Sequence, residues 1–192
     1  DALPISWGKV GNDRINPSEF VTLLSSGLTA VFGNQVKNGT TIAEVKDPNL
    51  KWETTTEYDL GFDYEFFGGR LKGTVDYYYK YTAGALFNIP LSAGLGDNNN
   101  AMLTNAADIS NTGLEFTIGY NNDARKHKVA YSVSLNATFN KNRVVNLGLG
   151  QPTNFGNLNN GEFATRVAAG QPIGSFWVYQ TDGVYQNQAE IN

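Results

Sequence analysis

The sequence predicts an all-β fold: a segment of an antiparallel up-and-down transmembrane β-barrel with about six or more strands, long outer loops and short inner turns. Three observations predict it. Apolar and polar residues alternate with a period of two over runs of about twelve to sixteen residues, longer than the roughly five or six usual in globular strands. The connections between these runs alternate between tight turns and long loops. Ten Tyr, eleven Phe and 21 Gly among 192 residues, with abundant Asn, suit strands joined by turns.

A weak strand signal covers residues 3–10, and a long connection follows over 11–50. Within that connection Asn16-Pro17-Ser18-Glu19 offers a cap, a proline at the first helical position and an early glutamate. One or two helical turns are therefore expected, ending at Ser26-Gly27. The strongest strand covers 51–67. Trp52, Thr54, Thr56, Tyr58, Leu60, Phe62, Tyr64 and Phe66 share one face. Lys51, Glu53, Thr55, Glu57, Asp59, Gly61, Asp63 and Glu65 share the other.

Phe67-Gly68-Gly69-Arg70 is a hairpin turn, its glycines supplying the positive φ that a tight reversal needs. The chain returns with Leu71, Gly73, Val75, Tyr77, Tyr79 and Tyr81 on one face. Lys72, Thr74, Asp76, Tyr78, Lys80 and Thr82 lie on the other. A long connection over 83–108 precedes a third strand. There Thr112, Leu114, Phe116, Ile118 and Tyr120 alternate with Asn111, Gly113, Glu115, Thr117 and Gly119. A short turn over 121–127 leads into a strand over 129–140. The last long connection spans 143–170, and a weak strand signal covers 173–185. Long connections of this kind are uncommon inside compact soluble domains and ordinary in membrane barrels. A tilted strand needs roughly 9–11 residues to cross a bilayer, so these runs suffice.

Charged residues make up 17% of the chain, below the roughly 25% usual in soluble domains. The net charge of −4 and the lack of a basic block argue against a nucleic-acid partner. The absence of cysteine removes disulfides and thiolate chemistry. No run approaches 18 consecutive apolar residues, so no transmembrane helix is expected.

His127 is the single histidine and reads as a solvated turn residue between two lysines, so no metal site and no cofactor are expected. Glu53, Glu57, Asp59, Asp63 and Glu65, with Asp76 opposite, could serve as paired carboxylates for glycoside hydrolysis. Their spacing follows the pleat, which favours a charged, water-facing lumen partnered by Arg70, Lys72 and Lys80. The loop Asp97-Asn98-Asn99-Asn100 lacks the glycine and distal glutamate of a calcium loop. It reads as a polar loop. The ligand-binding candidates are these four loop residues, since outer loops carry binding, and Tyr78, which faces the lumen. Tyr77, Tyr79 and Tyr81 face lipid or an aromatic girdle. A soluble β-sandwich that binds carbohydrate is the alternative, provided that a partner sheet covers the aromatic faces.

One series of strings carries a resemblance. It starts with Asp47-Pro48-Asn49-Leu50-Lys51-Trp52-Glu53 and Glu57-Tyr58-Asp59-Leu60-Gly61-Phe62-Asp63. Phe67-Gly68-Gly69-Arg70-Leu71, Val75-Asp76-Tyr77-Tyr78 and Asn111-Thr112-Gly113-Leu114-Glu115 follow. Asn140-Lys141-Asn142-Arg143-Val144, Gly170-Gln171-Pro172-Ile173-Gly174-Ser175-Phe176 and Asp182-Gly183 complete it. In this order the strings resemble the barrel of SusC/RagA-type TonB-linked outer-membrane receptors of Bacteroidetes.

The resemblance implies nutrient import across the bacterial outer membrane, of oligosaccharides or in some members peptides, with no enzymatic step. It implies a SusD-type surface lipoprotein as partner, and energy from a TonB complex that contacts parts of the receptor outside this chain. It also implies that residues 1–192 are an internal segment of the C-terminal half of the barrel domain, without the plug and the terminal strands. The turns at 67–70 and 121–127 then face the periplasm and the long loops face outward.

Overall fold

The computed structural model describes residues 3–13, 15–16, 18–92, 94, 101–122, 129–148, 153–158, 161–180 and 183–186. Strand formation dominates. The strands are β1 (Ile5–Asn12), β2 (Leu23–Phe32), β3 (Gln35–Glu44), β4 (Glu53–Phe66) and β5 (Leu71–Pro90). They continue as β6 (Ala101–Asn121), β7 (Ser132–Leu147), β8 (Thr153–Asn157), β9 (Phe163–Val167) and β10 (Ser175–Phe176). The main sheet is antiparallel, in the order β1-β4-β5-β6-β7. Among the described residues it stays open, with β1 and β7 at its edges. Two smaller sheets, β2-β3 and β10-β9-β8, grow from the connections.

Register turns the period-two pattern into rows across the sheet. Ile5, Leu60, Tyr77, Leu114 and Phe139 form one row. Phe62, Val75, Phe116 and Ala137 form the next, and Phe66, Leu71, Tyr120 and Val133 lie nearest the 67–70 turn. Trp7, Tyr58 and Tyr79 close the band at the other end. Ile5, Leu60, Leu114 and Leu135 are 75, 48, 41 and 56% exposed. In water such a face would have to be buried. No other described sheet covers it, so it matches a wall that meets lipid. From Tyr58 to Phe66 the band measures roughly 27 Å along the strand, comparable with a bilayer core.

Two glycines let aromatic rings lie flat on the wall. A Cβ at Gly113 would collide with the Tyr78 ring on the polar face. A Cβ at Gly73 would collide with the Tyr64 ring on the apolar face and with the Thr117 carbonyl. Each pair is in register across neighbouring strands, so the ring fills the space that the missing side chain leaves.

The long connections hold more order than the sequence pattern predicts. The expected helical turns near 16–27 reduce to a single turn, with Glu19 N–H bonded to Asn16 O and Val21 N–H to Ser18 O. From Leu23 the chain is strand, because pairing with β3 satisfies its backbone along ten residues. The β2–β3 reversal is the two-residue turn Gly33-Asn34, with Gly33 at φ 62°. The expected loop over 83–108 shrinks as well, since β5 runs to Pro90 and β6 starts at Ala101. Register slips between Thr82 and Ala85 and between Ala85 and Leu86, and again beside Asp108. These bulges break the phase of the alternation and hide the strands from a period-two reading. Within 143–170, β7 reaches Leu147 and β8 and β9 follow. Of the expected strand over 173–185, the described residues form β10, which pairs with β9.

The turn at 67–70 is as expected, with Phe67, Gly68 and Gly69 all at positive φ. For the second turn, 123–128 and with them His127 lie outside the described residues. Its base is closed by Asn122, which is buried and bonds Tyr131 O through its N–H and Val129 O through Nδ2. Gly113→Val should drive a methyl into the Tyr78 ring and lower the unfolding free energy of the protein in lipid by about 2 kcal/mol. The double variant Gly113→Val/Tyr78→Ala should recover part of that loss, as read from urea midpoints.

Candidate functional site

The polar face of the main sheet is the water-facing side of the wall. Across it the register brings Glu57, Lys80, Asn111 and Asn142 into one row and Asp59, Tyr78, Gly113 and Asn140 into the next. Asp76 and Glu115 stand opposite one another one row on. Glu57 Oε1 lies 2.8 Å from Lys80 Nζ, and Glu65 Oε2 3.2 Å from Lys72 Nζ. All four side chains are more than a third exposed, so each pair contributes at most about 1 kcal/mol. The lysines predicted to partner the lumen acids do so. Asp59, Asp76 and Glu115 gather with Glu57, Tyr78 and Lys80 around one shallow hollow.

Tyr78 sits at the centre of this face. Its Oη donates to Asn140 Oδ1 at 3.3 Å, its ring covers Gly113, and Lys80 Nζ stands 5.2 Å from the ring centroid. Asn142 Nδ2 donates to Asn111 Oδ1 at 2.7 Å beside it. The acidic groups thus belong to β4, β5 and β6, while β7 offers amides and hydroxyls: Ser134, Asn136, Thr138, Asn140 and Asn142. Among the described residues no group of three or more His, Asp or Glu is arranged to hold a metal ion. The candidates Asp97, Asn98, Asn99 and Asn100 lie outside the described residues.

At the loop end side-chain bonds replace the interrupted ladder. Asp47 Oδ1 accepts from Asn49 N–H at 2.8 Å, its Oδ2 accepts from Thr104 Oγ1, and Leu50 is buried beneath the turn. Asn105 then acts like a strand partner for Lys51. Its Oδ1 accepts from Lys51 N–H at 2.7 Å and its Nδ2 donates to Lys51 O at 2.8 Å and to Gly84 O at 2.7 Å. Asp108 Oδ1 accepts from Gly84 N–H at 2.9 Å, inside the bulge. Glu53 Oε2 accepts from Leu86 N–H at 3.2 Å. The string Asp47–Glu53 is conspicuous in the sequence, but its contacts with Thr104 and Asn105, 57 and 54 residues away, leave no local signal.

Val144 is fully buried, and its N–H and C=O pair with Gln171 O and Gly170 N–H. Ile173 N–H bonds Asn142 Oδ1 at 2.8 Å. The β8–β10 sheet is therefore anchored at the loop end of the wall. Arg166 stands over the Trp177 ring there, with its Cζ 3.3 Å from the ring centroid.

Beneath the β2–β3 hairpin Lys46 Nζ bridges Glu19 at 2.6 Å and Glu44 at 2.7 Å. Hydrogen bonds to Glu19 and then Glu44 raise its pKa above the ordinary 10.5, against a smaller opposing effect of burial. The resulting stabilisation is complete below the unfolded value of about 10.4 and is lost as pH rises through the higher folded value.

The chain is similar throughout to proteins of one kind. The family described as TonB dependent receptor-like, beta-barrel matches residues 14–192. TonB-dependent receptor P3 of Formosa agariphila is 36% identical over 185 residues, covering 94% of this chain and 18% of that protein. TonB-dependent receptor SusC of Bacteroides thetaiotaomicron is 33% identical over 191 residues, covering 93% and 18%. The chain thus spans less than a fifth of the length of these relatives. The structure of the RagAB peptide transporter superposes with a TM-score of 0.71 at 23% identity, over 91% of this chain and 18% of that one. The 'open-open' state of the RagAB peptide importer superposes with a TM-score of 0.68 at 22% identity, over the same shares. At these identities the superpositions speak for the fold alone.

Asn105→Ala removes three hydrogen bonds at once. Hydrogen exchange at the Lys51 amide should accelerate at least tenfold, with Asn105→Asp intermediate because it keeps an acceptor for Lys51 N–H. A Lys46 Nζ titration followed by NMR should have its midpoint above 10.5, and Glu19→Gln should lower it.

Proposed function

Because this chain belongs to the TonB-dependent receptor β-barrel family, we propose that it forms wall and outer loops of a SusC/RagA-type receptor that imports oligosaccharides. The carrying observation is the two-faced sheet: an exposed apolar band on one side and a polar wall on the other, in register over β4 to β7. The family places the chain in the bacterial outer membrane. The carbohydrate-binding β-sandwich is set aside, since the family match spans nearly the whole chain and the apolar rows have no partner sheet among the described residues.

Oligosaccharide is favoured by the neutral amides and hydroxyls along β7 and by Tyr78 in the lumen. Sugar hydroxyls both donate and accept, and amide side chains match both needs. A peptide substrate is the second reading. Asp59, Asp76 and Glu115 would attract a cationic peptide, and the similar RagAB structure is that of a peptide transporter. In either case the receptor moves its substrate without breaking bonds in it. A SusD-type lipoprotein would close the outer mouth, and a TonB complex would supply energy through other parts of the receptor. Tyr78, Asp97, Asn98, Asn99 and Asn100 are proposed as substrate contacts. The 67–70 turn then faces the periplasm.

In the full-length receptor, Leu114→Arg should cost about 2–4 kcal/mol in lipid, whereas Thr117→Arg, on the opposite face, should be nearly neutral. Equal costs from urea unfolding would overturn the assignment of faces. Growth on oligosaccharide should stop when the TonB complex is removed. Uptake that continues would overturn the transport reading.

A further inference from the structure

We infer that the β8–β10 sheet carries a stacking subsite for one pyranose ring of a neutral oligosaccharide at the outer mouth; the inference rests on the reading as an oligosaccharide importer. Antiparallel pairing sets Asn154, Arg166 and Ser175 in register across the three strands, so their side chains share a face. Trp177 N–H bonds Ala164 O, which extends the pairing by one step and brings the indole onto that face. Arg166 stacks on one side of the ring at 3.3 Å. Cation–π attraction holds the indole in one orientation, so little side-chain freedom remains to be lost on binding.

Trp177 is 53% exposed and Tyr179 85% exposed, so much of the aromatic surface stays open despite the Arg166 stack. The rings border a cleft of about 490 Å³ that Asn154, Leu158, Glu162 and Phe163 complete. This is a small-ligand volume. Its chemistry is that of a sugar site. A pyranose presents a patch of weakly positive C–H groups that suits the negative face of an indole. Its equatorial hydroxyls need donors and acceptors at the edge of the ring, which the Asn154 amide supplies in both senses. An apolar partner would leave the Asn154 amide facing carbon, and a nucleic acid would meet a chain of net negative charge. The cleft also lies where an entering ligand passes, because 170–171 fastens the sheet to Val144 at the wall end opposite the 67–70 turn.

The test uses the full-length receptor in detergent, titrated calorimetrically with maltoheptaose, laminariheptaose and xylohexaose. The wild type is expected to bind at least one of them. Trp177→Ala should weaken that binding about tenfold or more, Asn154→Ala several-fold, and Trp177→Phe less than about threefold because a ring remains. Heat-modifiable gel migration identical to the wild type shows that each variant is folded. Wild-type affinity in folded Trp177→Ala overturns the subsite and leaves the importer reading standing. A wild type that binds none of the three sugars but binds a cationic peptide overturns both.

Discussion

In a bilayer the backbone finds no water to bond, so every N–H and C=O must be matched by a neighbouring strand. That constraint organises this chain. It forces long antiparallel ladders, and β4 to β7 supply them with almost unbroken register between the 67–70 turn and Thr82. Once the ladder is imposed, alternate side chains go to opposite faces, and the two faces need opposite chemistry. The exposed leucines and aromatics of one side and the carboxylates and amides of the other are two results of one pairing. Gly73 and Gly113 belong to the same logic, since a flat wall has room for a ring over a glycine where two full side chains would collide.

Where the wall leaves that regime the rules change. Near Gly84 and Asp108 the register slips, and side chains take over the bonds that strands would make. Asn105 pairs with Lys51 as a strand would, through its amide. Among the described residues the buried apolar ones collect here as well: Leu50, Ala85, Ile89, Ala106, Ala107, Val144, Val167 and Ala168. The chain therefore has its apolar core at the loop end and not in the middle of the sheet. This fits loops that must hold a shape in water, where hydrophobic burial operates between protein groups as it does not in lipid.

The polar wall is not uniform. Its β4 to β6 side carries most of the carboxylates, tempered by Lys72 and Lys80, and its β7 side is neutral. A neutral, amide-rich strip both donates and accepts hydrogen bonds, and an acidic strip repels anions. The ring of Tyr78 lies between the two, fixed by Gly113, Asn140 and Lys80. At the loop end the Arg166–Trp177 pair adds an aromatic surface to this polar one.

The sequence by itself determined the elements whose pattern repeats within one strand. The 51–67 and 71–82 runs, the turn between them, the faces of Tyr77, Tyr78 and Tyr79, and the lysine partners of the lumen acids were all legible. Period two is a local property, and one residue's face dictates its neighbours'. The β2–β3 hairpin was hidden: it falls inside the 11–50 connection, where the cap signal at residues 16–19 pointed to helix. Only the tertiary structure decided the rest. It carried β5 and β6 past their bulges, set β10 beside β9, joined Lys51 to Asn105 across 54 positions, and stacked Arg166 on Trp177. Those contacts depend on distance through space between segments of different phase, and a bulge erases the periodicity by which a sequence announces where its side chains point.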